Sequence, residues 1–138
     1  MTDALPTVAL SIMQPWAWLI ANGHKAIENR DWRYKPKFRG RFLIHAGQAM
    51  DRKALSDLLL CVHPVTGEAI RGRLRDELTA GFDTFQGGIV GVAELVDVVT
   101  ASDDPWFVGP LGFVLANASP LPLIPCRGAL GFFKPVLT

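Results

Sequence analysis

The apolar and polar positions alternate between two periods along the chain. Val8, Leu10 and Ile12 recur every second residue through Val8–Met13, the period of a half-buried strand. Pro15 suits the first turn of a helix, where its missing N–H is harmless, and Trp16, Leu19 and Ile20 follow at helical spacing, with Gly23 as the stop. A helix of about two turns is unstable alone and must pack on a sheet. Lys25–Trp32 reads as extended, Arg33–Gly40 as a turn-rich loop around Pro36, and Arg41–Ala46 as a strand.

Asp51–Leu60 carries Ala54, Leu55, Leu58 and Leu59 at helical spacing, and Asp51 favours the helix start. His63–Gly67 is a loop. A further helix is predicted over Glu68–Thr79 from the stripe Ile70, Leu74 and Leu78, with Arg73 and Glu77 one turn apart. Ile89–Val99 is apolar on both faces, as in a strand with a barrel interior on one side and helices on the other. Gly112–Ala116 and Leu130–Val136 read as further strands, and Pro120, Pro122 and Pro125 confine the segment between them to an edge or a loop. The expected fold is α+β: a small mixed β-barrel with two to three helices packed outside it.

A chain of 138 residues predicts one domain, 1–138. With 49% hydrophobic and 20% charged residues it is not a disordered sequence. Two cysteines, Cys61 and Cys126, cannot build a disulfide scaffold. No apolar run reaches the length of a membrane span and the first residues lack a basic leader, so a cytoplasmic monomer is the expectation. The three histidines are widely spaced and there is no paired-cysteine motif, so no zinc is expected. Nor is there a phosphate-binding glycine loop or dinucleotide fingerprint to imply a nucleotide cofactor.

The net charge of +1 argues against an indiscriminate nucleic-acid binder, but the charge is unevenly placed. Between Lys25 and Arg41 stand seven bases and two acids, a net +5 over 17 residues, with Trp32, Tyr34 and Phe38 among them. Cations that meet phosphates and rings that accept unstacked bases suit single-stranded nucleic acid. Arg30, Trp32, Tyr34, Arg39 and Arg41 are therefore candidate RNA contacts; an ordinary solvated loop has the same composition.

Lys25, near a helix end, is either a surface lysine or, if desolvated, a base or nucleophile. Under strict alternation Glu28 and Arg30 share a face and Lys25 lies on the other, so Lys25 meets Glu28 only if the chain bulges or turns near Gly23. Glu94 interrupts an apolar strand face and needs a partner, for which Lys25 and Arg30 are the candidates. His45 could act as an acid or base near neutrality, or cap buried backbone groups. Lys53 opposes the dipole of the helix it begins, a conflict a bound anion would relieve. Trp16 is either a core residue or a stacking platform, and the role of Trp106 is open.

Several blocks occur together in order: Ser11-Ile12-Met13-Gln14-Pro15-Trp16-Ala17, Gly23-His24-Lys25-Ala26-Ile27-Glu28-Asn29-Arg30, Gly40-Arg41-Phe42-Leu43-Ile44-His45-Ala46, Gly91-Val92-Ala93-Glu94-Leu95 and Trp106-Phe107-Val108-Gly109-Pro110. The sequence thereby resembles the activating signal cointegrator homology (ASCH) family, whose fold is related to the PUA domain, a small barrel of RNA-modifying proteins. Segment 61–84 matches none of these blocks and reads as a helical insertion. The resemblance implies a ligand cleft between barrel and helices, single-stranded RNA as partner, and in some members Mg2+-dependent cleavage. Other members are amidohydrolases of acetylcytidine that use a Lys, a Thr three residues on, and a later Glu. Here those positions hold Lys25, Glu28 and Glu94, so the hydroxyl is missing. The catalytic candidates are Lys25 and Glu94, on the family's pattern, with Glu28 and His45 added on their own chemistry, and the RNA-binding candidates also include Lys25, Lys53 and Trp16. Ribonuclease activity is preferred to amidohydrolysis, with a non-catalytic reader of a modified nucleotide as the further alternative.

Overall fold

The computed structural model describes residues 4–137. Its elements are β1 (Ala9–Gln14), α1 (Trp16–Ala21), β2 (Ile27–Arg30), β3 (Gly40–Met50), α2 (Arg52–Leu59), α3 (Gly72–Ala80), β4 (Gly88–Val99), β5 (Leu111–Pro125) and β6 (Phe132–Phe133). The strands form one mixed sheet in the order β2-β5-β4-β3-β1-β6, a half-barrel carrying three helices. This is the α+β barrel of PUA type that the sequence predicts. β1 runs parallel to β3, and the other pairings are antiparallel.

Burial follows the two periods. Leu10 and Ile12 of β1 join Phe42 and Ile44 of β3 and Phe113 of β5 in the main core, onto which Ala17 and Ile20 of α1 pack. β4 is covered on both faces over its first half: Ala93 and Leu95 belong to the main core, Ile89 and Val92 to a second cluster with Leu43. A third cluster joins Leu19 of α1 and Leu58 of α2 to Ile70, Leu78 and Trp106, which ties the 61–84 segment to the barrel through α1.

Three boundaries differ from the periodicity. The helix expected over Glu68–Thr79 begins only at Gly72, because Gly67 (φ +75°) and Gly72 (φ +70°) turn the chain and Ala69 bridges to Val62 instead. Ile70 is buried all the same, from the non-helical backbone beside that bridge. The strand expected over Leu130–Val136 is reduced to Phe132–Phe133. β5 runs through Pro120, Pro122 and Pro125, beyond the last residue that β2 pairs, so these prolines stand where the strand has an open edge. Among the described residues no helix is long and apolar enough to cross a membrane.

The two ends of the sheet face each other without pairing. β6 covers β1 only at Ala9 and Leu10, which leaves the β1 edge open from Ser11 onwards. Side chains span this seam. Arg30 of β2 donates from Nη2 to the Ser11 carbonyl at 2.6 Å, and Trp32 packs edge-on against Phe132 at 5.8 Å.

Candidate functional site

A cleft of about 540 Å³ opens at this seam. Ser11 and Met13 of β1 form one side and Glu28, Asn29 and Arg30 of β2 the other, with Asp31 following; Trp16, Lys25, Asp51, Val108 and Gly109 complete the lining.

The turn after α1 brings Lys25 into it. Gly23 takes a left-handed φ of +78°, which a Cβ would disfavour, and the amides of His24 and Lys25 both donate to the Leu19 carbonyl at 2.9 and 3.2 Å. The chain folds back beneath the helix, so the lysine crosses to the face of Glu28. Its ammonium, on a residue 2% exposed, donates to the Ile27 carbonyl and to Glu28 Oε1 at 3.3 Å. Arg30 Nη2 lies 3.1 Å from Glu28 Oε2, so one carboxylate divides itself between two cations. Burial pushes the Lys25 ammonium below the ordinary lysine range; the charge and hydrogen bond of Glu28 oppose that shift. The Trp16 ring lies 5.4 Å from the ammonium and forms a half-buried wall, with its indole N–H donating to Asp51 Oδ2 at 3.2 Å.

Asn29 shapes the opposite rim. Its Nδ2 donates to the Trp106 carbonyl at 2.9 Å, while its Oδ1 accepts from the amides of Val108 at 2.7 Å and Gly109 at 3.0 Å. One side chain thus holds the segment before β5 over the cleft.

The candidate residues divide sharply. Lys25, Glu28, Arg30 and Trp16 converge in the cleft. Glu94 does not: its partner is neither Lys25 nor Arg30 but Asn117 Nδ2 at 3.0 Å, and in register it stands beside Arg41. Lys53 lies outside the cleft and pairs with Asp57 at 3.0 Å, and Asp51 caps the Ala54 amide at 3.0 Å at the same helix start. Trp32 belongs to an aromatic cluster with Phe113 and Phe132. Tyr34 is exposed beneath Arg33, Arg39 bonds the carbonyls of Pro36 and Phe38, and Arg41 reaches the Ala4 carbonyl at 3.3 Å. His45 is buried, with Nε2 3.0 Å from the Cys126 carbonyl and Nδ1 3.0 Å from Ser11 Oγ. A carbonyl only accepts, so the neutral ring carries its proton on Nε2 and Nδ1 accepts from the hydroxyl.

The cleft is therefore not the basic groove that the +5 segment suggests. Two cations face three carboxylates in its lining, and the remaining bases of that segment are exposed on the following loop and at the start of β3. Few carboxylate oxygens of the lining are free to take a magnesium ion. Both oxygens of Glu28 face cations and both of Asp51 accept N–H groups, which leaves only Asp31.

Among the cleft residues, Ser11, Met13, Asn29, Asp31, Asp51, Val108 and Gly109 were not site candidates from the sequence. Asn29 stands 79 and 80 residues from the amides it holds, a separation with no periodic signal.

No curated protein matches the chain. The ASCH domain family does match, over residues 10–106, a span of more than half the chain that contains all of the cleft except Val108 and Gly109. The chain belongs to the ASCH domain family.

Proposed function

We propose that the cleft binds one nucleotide of a single-stranded RNA, with the base against Trp16 and its polar edge against Lys25, Glu28 and Arg30. The observation that carries this reading is the buried Lys25–Glu28–Arg30 cluster at the floor of a cavity of about 540 Å³. That volume suits a nucleoside-sized ligand, and a few convergent polar groups beside an aromatic wall can fix such a ligand's orientation. ASCH domains generally bind RNA, which supports the same ligand class.

The test is binding of RNA pentanucleotides of each base, with and without Mg2+, followed by mass analysis of the RNA. Retention of intact RNA by the wild type, weakened at least tenfold in Lys25→Met, is expected. Absence of binding to every pentanucleotide overturns the reading, and shortened products that depend on Mg2+ would convert it into cleavage.

One observation favours a second reading, hydrolysis of an acylated nucleoside. A lysine whose burial lowers its pKa offers a neutral amine more readily than a surface lysine does. Against it, Glu28 occupies the position where the resemblance calls for a hydroxyl, and Glu94 is engaged with Asn117. Acetylcytidine turnover by the wild type, lost in Lys25→Met, would establish it; no turnover would remove it.

A further inference from the structure

Across Ser11 from the cleft lies a second cavity of about 590 Å³. Ser11 lines both, so the two spaces adjoin at the open edge of β1. They differ in charge. The first presents three carboxylates and two cations, whereas the second presents Arg127 and no carboxylate.

The wall that carries Arg127 is firmly built. His45, 2% exposed, holds the Cys126 carbonyl at 3.0 Å through Nε2 and the Ser11 hydroxyl at 3.0 Å through Nδ1. The Cys126 amide donates to the Gly87 carbonyl at 3.2 Å. Gly128 packs so closely that a Cβ there would lie 2.6 Å from His45 Cε1 and 2.7 Å from Ser11 Oγ. Residues on both sides of Arg127 are thus pinned to the barrel, while the guanidinium is exposed and has no ion pair among the described residues.

A phosphodiester beside the first cleft meets three carboxylates against two cations already paired with Glu28, and across Ser11 it meets an unopposed cation. We propose, on the footing that the first cleft is a nucleotide site, that the strand crosses β1 at Ser11. Its adjoining phosphodiester enters the second cavity against Arg127. His45 acts as a positioning residue, fixing Cys126 and Ser11 on either side of the crossing.

The test uses the base whose pentanucleotide binds most tightly. Its nucleoside, its dinucleoside monophosphate and the methylphosphonate analogue, uncharged at the linkage, are titrated against wild type and Arg127→Ala. The dinucleoside monophosphate is expected to bind the wild type about tenfold more tightly than the nucleoside. That advantage disappears with the methylphosphonate and in Arg127→Ala. The salt dependence of pentanucleotide binding falls by about 0.7 in log–log slope in the variant, the loss of one single-strand phosphate contact. An unchanged unfolding midpoint shows that Arg127→Ala is folded.

Equal affinity of the wild type for the phosphodiester and the methylphosphonate overturns the second cavity and leaves the first cleft standing. Arg127-dependent binding of the dinucleotide without nucleoside binding supports the second cavity and counts against the first. Silence of both ligands overturns both.

Discussion

Lys25 and Glu28 form a buried ion pair of 3.3 Å at the floor of the cleft, across the two faces that strict strand alternation would assign them. The lysine stays outside β2, and the turn at Gly23 carries it over. Its ammonium is desolvated, and that has a consequence for stability.

Burial disfavours the charged amine, so the folded protein holds the Lys25 proton less tightly than the unfolded chain, whose value is near 10.5. Between the lowered folded value and 10.5 the unfolded chain binds more protons, so stability rises with pH across that window. Lys25→Met lacks the group and should lack the rise. Urea midpoints of the two proteins, followed from neutral pH towards 10.5, are expected to diverge in favour of the wild type. Parallel curves would show that the ammonium is not held in a disfavoured state.

Glu28→Gln leaves two cations against an uncharged amide. Removing one partner of a buried pair costs about 3–5 kcal/mol, since the remaining charge keeps its desolvation penalty. Denaturant unfolding should report a loss of that order. The double variant Lys25→Met, Glu28→Gln should recover part of it, because it removes one of the stranded charges. Strict additivity of the two single losses would argue that the pair is not coupled.

The barrel was legible because burial on a sheet leaves a period in the sequence. Leu10 and Ile12, or the two-faced run from Ile89, state which side is covered. The floor of the site was legible only through its local block, Lys25 to Arg30, and there the strand period misled, since a glycine turn set the face of Lys25. Charge was the weaker guide. It marked the stretch from Arg33 to Arg41, where Arg39 and Arg41 are tied to backbone carbonyls and Tyr34 faces solvent. Lys53 found a partner one turn on, Asp57, and the half-buried Glu94 found Asn117 on the neighbouring strand. What joins Asn29 to Gly109, or Ser11 to His45, is made by folding across many residues and has no pattern along the chain.

Asn29→Ala removes the three hydrogen bonds that hold Trp106, Val108 and Gly109. At about 1 kcal/mol each, the expected loss is about 2–3 kcal/mol. The loss is local, so hydrogen exchange at the Val108 and Gly109 amides should quicken more than exchange in β3 or β4. Uniform acceleration through the sheet would contradict a role confined to this rim.

Lys53→Ala should be silent. The residue is 84% exposed in its side chain and its pairing with Asp57 spans one turn of α2. Exposed pairs of this kind contribute less than about 0.5 kcal/mol, and Asp51 already caps the helix. Pentanucleotide affinity and the unfolding midpoint are both expected to match the wild type. A clear loss of affinity would restore the anion site that the helix dipole suggested.

The two tryptophans of the basic region and its approach separate binding from folding. Trp32 meets Phe113 at 5.2 Å and Phe132 at 5.8 Å, so it joins the two ends of the sheet. Trp32→Leu should lower stability by about 2–4 kcal/mol through lost packing. Any weakening of RNA binding should vanish once the folded fraction is counted. Trp16 lines the cleft and touches Trp106 edge-on at 6.3 Å. Loss of one base-stacking face in Trp16→Leu should weaken binding about tenfold at full occupancy of the folded state. Titrations with the same pentanucleotide, paired with unfolding curves for each variant, decide between the two roles. If Trp32→Leu, fully folded, lost affinity and Trp16→Leu did not, the strand would lie on the basic loop and not in the seam.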